Sequence, residues 1–400
     1  MKIDTDPKKI EEFLTRGVAN IYPNIEVLRK ELSSGRRLRI YNGIDPTGKL
    51  HIGHGVVLRK MRQLQDLGHE IIVLIGDFTA MIGDPTDKKA ARKPLTKSEV
   101  KNNAANYKKL IGKILSIKRS KIRFVYNEKW TNKLTPHDLL NLASCFTVPQ
   151  ILERDMFQER MKSGNDLHLN EVLYPLFQAY DSVTMNVDME IGGNDQTFNM
   201  LAGRTMLRKM KGKEKFVLTT KLLTDPTGKK MGKTEGNMIN LEDDSDSMFG
   251  KIMSWTDGMM MLGFELCTNV SMEEIEKIKQ ELAAGANPRD IKVRLAKEII
   301  TIYHSQEKAD KAEQNFVETF KNGGVPENID EVMATNGELL SDISLRAGVV
   351  KSKGEFRRLV LEKAVSNHET NDKITDPNWR VISTAIFKIG KRRFLKVLIK

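Results

Sequence analysis

Cysteine is almost missing from this chain: Cys145 and Cys267 are the two in 400 residues, and they stand far apart. A disulfide framework and a four-cysteine zinc site are thereby excluded, which suits a reducing compartment. No uncharged apolar run approaches the ~18 residues needed to span a bilayer. The N-terminus lacks the apolar h-region of a secretory signal. These absences predict a cytoplasmic protein with no membrane partner.

Charge, by contrast, is plentiful and unevenly spread. A content of 30% charged and 40% hydrophobic residues fits a globular protein of mixed helix and sheet. Four hundred residues exceed one compact core, so two or three domains are expected. Of the net charge of +12, residues 341–400 carry +8, with fourteen Lys/Arg against six Asp/Glu. A basic terminal module on a more neutral body points to nucleic acid. Lys351, Lys353, Arg357, Arg358, Lys388, Lys391, Arg392 and Arg393 give it enough cations for phosphate contacts.

Three stretches carry chemical information. In the first, residues 38–44 read as a strand, Pro46, Thr47 and Gly48 force a turn, and a helical period follows (Val56, Val57, Leu58, Met61, Leu64, Leu67). His51 and His54 lie three apart at the mouth of that helix, so both imidazoles leave its first turn on one side. Helix-start N–H groups favour phosphate, and Gly53 lets a flat ligand approach the backbone. A second strand, 70–74, leads to Gly83-Asp84-Pro85. Strand, helix and strand predict a parallel sheet with ligands beyond its carboxyl ends; on local grounds Asp84 reads equally as a residue entering that crevice or as a plain turn aspartate.

In the second stretch, Tyr174, Gln178 and Asp181 fall at i, i+4 and i+7, one polar stripe among Leu, Phe and Val. Such a stripe is costly to bury unless it bonds internally or to a ligand, and both readings stand. A strand at 187–191 then ends in Gly192-Gly193-Asn194-Asp195-Gln196. The third stretch, 221–236, is lysine-dense and broken by glycines. It is not a P-loop, because its first glycine is one residue too close to Gly232-Lys233-Thr234 and no buried strand is expected directly before it. A mobile phosphate clamp with Lys230 and Lys233 remains, and the basic loop 87–95, with Lys88 and Arg92, could close over the same site. The remaining pattern gives helices over 1–35, a helical insertion near 130–175, helices over 246–325, a linker at 326–337 and a last module at 338–400.

Together these motifs resemble a known family. His51-Ile52-Gly53-His54 matches the HIGH signature of class I aminoacyl-tRNA synthetases, and Lys230-Met231-Gly232-Lys233-Thr234 is similar to their KMSKS loop, with Gly and Thr in place of its serines. Tyr41-x-Gly43-x-Asp45-Pro46-Thr47, Gly83-Asp84-Pro85, Tyr174-x-x-x-Gln178-x-x-Asp181 and Gly193-x-Asp195-Gln196 resemble the bacterial tyrosyl-tRNA synthetases in particular. The resemblance implies an α/β fold: a Rossmann-like parallel-sheet catalytic domain over 1–245, an all-helical anticodon-binding-type domain over 246–325 and a small α+β, S4-like RNA-binding domain over 338–400.

It also implies tyrosine activation by ATP, with Mg²⁺ accompanying the ATP and no protein-bound cofactor or resident metal, followed by transfer to tRNA(Tyr) on a homodimer. Tyr41 and Asp181 would bond the phenol; Asp84, Tyr174 and Gln178 the ammonium; Thr79, Asn127 and Gln196 complete the tyrosine site. Gly43, Asp45, Thr47, Gly53, Gly193 and Asp195 would line the ATP site. His51, His54, Lys88, Arg92, Lys230, Lys233 and Thr234 would stabilise the phosphates in displacement. The substrate carboxylate is already a nucleophile, so no Ser, Cys or general base is needed. The alternatives are a tryptophanyl enzyme of the same fold, against which Tyr41 and Tyr180-Asp181 speak, and a non-catalytic RNA-binding paralogue.

Overall fold

The computed structural model describes residues 2–84, 95–117, 122–225, 228, 238–321, 329–368, 370, 372–390 and 393–399, with backbone alone at 319–321. The chain forms two compact units, Met1–Ala309 and Asp310–Lys400. Among the described residues no helix is long and apolar enough to cross a membrane.

The first unit is built on a six-stranded sheet of order β1-β6-β5-β2-β3-β4. Its strands are β1 (Val18–Tyr22), β2 (Arg39–Ile44), β3 (Glu70–Ile75), β4 (Ile122–Tyr126), β5 (Met189–Gly193) and β6 (Phe216–Thr220). All pairs are parallel except β1 with β6. β3 reads E-I-I-V-L-I and is buried along nearly its whole length, as a parallel strand covered on both faces must be. Three helices shape the site: α1 (Ile52–Asp66), α2 (Leu169–Met185) and α3 (Thr197–Lys211). The short helices Pro136–Ala143, Val148–Leu152 and Asp155–Lys162 form the expected insertion. Leu142, Ile151 and Phe157 from it pack on Leu176, Ala179 and Val183 of α2 and Met206 of α3. Thr135 and Thr147 start two of these helices by capping-box bonds, with proline in the first turn.

Several expectations need correcting. Residues 1–35 are not wholly helical: Gly17, at φ +65°, turns the chain, and the β-branched and aromatic run Val18–Tyr22 becomes an edge strand. A buried strand, β6, does directly precede the lysine-dense stretch, so that ground against a P-loop falls and only the glycine spacing remains. The helices between Ser245 and Tyr303 belong to the same compact unit as the sheet, so 245/246 is no seam between units. Arg16 joins the two parts, donating to the carbonyls of Phe264 (3.1 Å), Glu265 (2.9 Å) and Thr268 (2.7 Å) at the end of helix Met260–Cys267. That helix thus gains a cation at its negative pole.

The second unit carries a four-stranded sheet of order β7-β12-β11-β9 and a small β10-β8 pair. Its strands are β7 (Asp330–Ala334), β8 (Glu338–Leu339), β9 (Val365–Asn367), β10 (Arg380–Val381), β11 (Ala385–Ile389) and β12 (Arg393–Ile399). Helices Leu340–Arg346 and Lys353–Leu361 pack Ile343, Phe356 and Val360 into its core with Phe387, Leu395 and Val397. Asp330–Ala334, inside the expected linker, is the parallel partner of β12; its side chains alternate too weakly to announce a strand locally.

His69 closes the turn before β3. It is 2% exposed, and its Nδ1 accepts the Leu38 N–H at 3.2 Å. Burial, with Arg37 and Arg36 nearby, holds its pKa down to about 4. An unfolded imidazole protonates near 6.5, so this ring favours the folded state above pH 6.5, by up to about 3 kcal/mol that is lost as the pH falls to 4. Urea denaturation should show that His69→Gln removes most of this acid-side loss; an unchanged slope between pH 7 and 4 would refute it.

Candidate active site

A cleft of about 350 Å³ opens beyond the carboxyl ends of β2 and β5. These neighbours pair at only two positions, Ile40 with Met189 and Tyr41 with Glu190, whereas β2 matches β3 at six. Past Tyr41 the two strands diverge, with α1 leaving from one and α3 from the other. This is the crevice at a topological switch point, the usual ligand site of an open parallel sheet.

At one end stand the two histidines. His51 caps α1: its Nδ1 accepts the Gly53 N–H, while the Nδ1 of His54 accepts the His51 N–H, both at 3.2 Å. The rings lie 4.0 Å apart. With both Nδ1 atoms accepting, the neutral rings carry their protons on Nε2, directed away from the helix backbone. Residues 50–52 pair with 239–241, through Ile52 N–H to Ile239 O (2.9 Å) and Leu241 N–H to Leu50 O (2.8 Å). Leu223, near the start of the lysine-dense stretch, and Met238, just after its end, also line the cleft. Lys230, Lys233 and Thr234 themselves, with Lys88 and Arg92, lie outside the described residues.

At the other end stands a web of carboxylates. Asp45 accepts from Thr79 Oγ1 (2.6 Å) and from the Tyr174 hydroxyl (2.8 Å). Thr79 Oγ1 in turn accepts from Asn127 Nδ2 (3.2 Å), which also donates to Asp181 (3.2 Å), whose other oxygen takes the Trp130 indole N–H (2.8 Å). Gly76 makes room for this web, because a Cβ there would sit 2.0 Å from Asp45 Oδ1. Burial pushes the Asp181 carboxyl well above the usual carboxylate range, and the Tyr174 phenol well above its own. Asp84 accepts from Arg154 Nη2 and from Gln196 Nε2, both at 2.7 Å. The polar stripe on α2 is therefore both satisfied internally and exposed to the cleft, which Tyr174, Gln178 and Asp181 all line.

The cleft also takes in Gly43, Asp45, Thr47, Gly53, Thr79, Asp84, Gly193, Asp195 and Gln196. Two expected tyrosine contacts stand back from it. Asn127, fully buried, holds Asp181 from behind. Tyr41 is 0% exposed and directs its hydroxyl to Ser182 Oγ (2.8 Å), because the strand turns that side chain under α2. Sequence reasoning missed Arg154, Trp130, Glu190, Ser182 and Lys215. The available signal was a charged residue inside an apolar strand or insertion, as in M-E-I-G-G, which must find a partner if buried. Among the described residues no group of three His, Cys, Asp or Glu is placed to hold a metal ion.

In the second unit Lys351, Lys353, Arg357 and Arg358 are exposed. Arg393 is committed to the fold instead, donating to Val349 O (2.6 Å) and Glu355 (2.8 Å). Lys391 and Arg392 lie outside the described residues.

A parallel sheet with paired imidazoles at the first helix and acids at the switch point defines a nucleotide-using enzyme of the class I synthetase type. The family model described as tRNA synthetases class I (W and Y) matches residues 33–321. The tyrosine–tRNA ligase of Carboxydothermus hydrogenoformans is 43% identical, covering 98% of each chain, and that of Francisella tularensis 44%, covering 98% of this chain and 99% of its own. The chain belongs to the class I tRNA synthetases of the W and Y group, and within it to the tyrosine–tRNA ligase family. Solved structures agree in fold. A truncated mitochondrial tyrosyl-tRNA synthetase of Aspergillus nidulans matches with TM-score 0.67 at 23% identity, over 78% of this chain and 94% of that one. The Archaeoglobus fulgidus enzyme complexed with L-tyrosine matches with TM-score 0.61 at 23% identity, over 77% and 99%.

Arg154 and Asp84 are 4% and 7% exposed in their side chains. Arg154→Met should therefore strand a buried carboxylate and cost about 3 kcal/mol in urea denaturation. Arg154→Met with Asp84→Asn should recover most of that; equal instability of the single and double variants would count against the pairing.

Proposed function

We propose that this protein joins tyrosine to tRNA(Tyr) in two steps. The tyrosine carboxylate attacks the α-phosphorus of ATP and expels pyrophosphate, and tyrosine then passes from the adenylate to the 3′ end of the tRNA. The observation that carries this reading is a single cleft with a donor end and an acid end: His51 and His54 at the start of α1, and Asp84, Tyr174, Gln178 and Asp181 opposite.

The acid end suits the amino acid. Asp84, Tyr174 and Gln178 hold the ammonium, and Asp181, kept in place by Asn127 and Trp130, accepts from the phenol. Phenylalanine would leave that buried acceptor without its partner, which is how the site rejects it. Asp45, Thr47, Gly43, Gly53, Gly193 and Asp195 take the ribose and adenine. The described cleft is rich in carboxylates, and its lysines are engaged, Lys49 with Glu242 and Lys221 with Glu265. A triphosphate therefore needs cations from elsewhere, and Lys88, Arg92, Lys230 and Lys233 supply them, with Thr234 as a further donor. Magnesium enters as the counter-ion of ATP. No base is required. The histidine Nε2–H groups and the lysines act by meeting charge that grows on the phosphates as the P–O bond breaks. The protein works in the cytoplasm as a homodimer. Its S4-like second unit grips tRNA phosphate through Lys351, Lys353, Arg357 and Arg358.

Pyrophosphate exchange with each of the twenty amino acids tests the reading directly: tyrosine alone should support it. His54→Ala should slow adenylate formation by about 10² while leaving tyrosine affinity unchanged; an unaltered pre-steady-state rate would remove His54 from the phosphate site. Arg357→Ala/Arg358→Ala should raise the tRNA KM about tenfold and spare exchange. Loss of exchange in that variant would make the second unit a structural part, and a monomeric mass in solution would overturn the dimer.

A further inference from the structure

Lys215 is 1% exposed, at the threshold of β6, and takes no part in the chemistry above. A buried ammonium is costly unless its donors are met. Here they are met by two neighbours: Nζ donates to Ser182 Oγ (2.9 Å) and forms an ion pair with Glu190 Oε2. Glu190, 2% exposed, lines the cleft and accepts the Gln178 amide N–H on its other oxygen (3.1 Å). Ser182 is the partner of the Tyr41 hydroxyl. Space for the cluster is left by Gly203 of α3, where a Cβ would lie 2.5 Å from Lys215 Nζ and 2.8 Å from Ser182 Oγ.

The donor and acceptor inventory gives the cluster a direction. An ionised carboxylate only accepts, so Glu190 takes the nitrogen of the Gln178 amide and leaves the amide oxygen to meet a ligand in the cleft. A neutral carboxylic acid could donate, and would let that amide turn over. Lys215, paired with Glu190, balances the charge of its carboxylate in the interior. We propose that Lys215 is a positioning residue for the amino-acid substrate: through Glu190 it holds the Gln178 carbonyl toward the substrate ammonium, and through Ser182 it fixes the Tyr41 hydroxyl beneath the phenol end. This inference rests on the reading of the cleft as a tyrosine site.

The charged and titratable groups facing the pair are Tyr41 on β2, Asp181 on α2 and Arg204 on α3, with Asp45 acting on Asp181 from the same end of the cleft. Without the lysine, two carboxylates, Glu190 and Asp181, share a buried wall, and like charges so placed in the interior favour uptake of a proton by the pair.

The test is steady-state pyrophosphate exchange by the full-length enzyme between pH 6 and 8, for wild type, Lys215→Met, Glu190→Gln and the double variant. Lys215→Met should raise the KM for tyrosine about tenfold or more and leave the KM for ATP within about twofold. Its tyrosine KM should also change with pH across this range, while that of wild type stays flat. Glu190→Gln alone, which strands the lysine, should raise the tyrosine KM as well. The double variant replaces the ion pair by a neutral amide and thioether; it should return the flat profile but not the affinity, because an amide at position 190 can donate as well as accept and no longer fixes the Gln178 amide. A flat profile in Lys215→Met, an equal rise in the ATP KM, or a double variant with the tyrosine KM of wild type would overturn the proposal. If Lys215→Met does not fold, Glu190→Gln and the double variant decide by the same comparison. Absence of tyrosine-dependent exchange in the wild type would instead remove the functional reading itself.

Discussion

The backbone pairing of residues 50–52 with 239–241 is the constraint on which the site depends. It is short, two hydrogen bonds beside His51, yet it joins parts of the chain about 190 residues apart. By returning the chain after the lysine-dense stretch to the start of α1, it sets the far end of that stretch on the cleft that holds the histidines, as β6 sets the near one. The sheet supplies the opposite wall, since β2 and β5 separate after two paired residues. A ligand large enough to touch both walls must lie across the carboxyl ends of these strands.

The acid end is organised by a different rule. Four of the carboxylates that meet the cleft have donors supplied by the protein. Asp84 has Arg154 and Gln196, Asp181 has Trp130 and Asn127, Glu190 has Gln178 and Lys215, and Asp45 has Thr79 and Tyr174. Two of the four are matched by a full positive charge and two by neutral groups. The wall therefore keeps its shape without a ligand while carrying less negative charge than its count of acids suggests. Preorganisation of this kind spares a bound substrate the cost of ordering its own contacts.

What could be read from the residues divides along sequence distance. The β2–turn–α1 segment, the stripe on α2 and the glycine-rich end of β5 are local patterns, in which a period of two or 3.6 or a turn residue fixes which side chains share a face. All three lie on the cleft as expected. The supports behind them were not legible. Arg154 meets Asp84 across 70 residues, and Lys215 meets Glu190 across 25, and in each case tertiary register decides the partner. Tyr41 shows the same limit from the other side. Its place in a recognisable motif suggested a direct ligand contact, but the pleat of β2 carries it beneath α2. Edge strands were the other gap: β1 and β7 are short and weakly patterned, and each is defined by the strand it joins.

The antiparallel junction of β1 with β6 also shapes how the protein is made. Val18 pairs with Thr220, so the first strand to leave the ribosome waits about 200 residues for its partner, on the order of 10 to 40 s at ordinary elongation rates. Arg16 waits longer still, until residues 264–268 have been synthesised. During that interval an apolar strand edge and a cation without its carbonyls are held open to whatever binds nascent chains. The sheet is sealed late and from its outer edge, and the helices after Ser245 are drawn in by the same N-terminal hook.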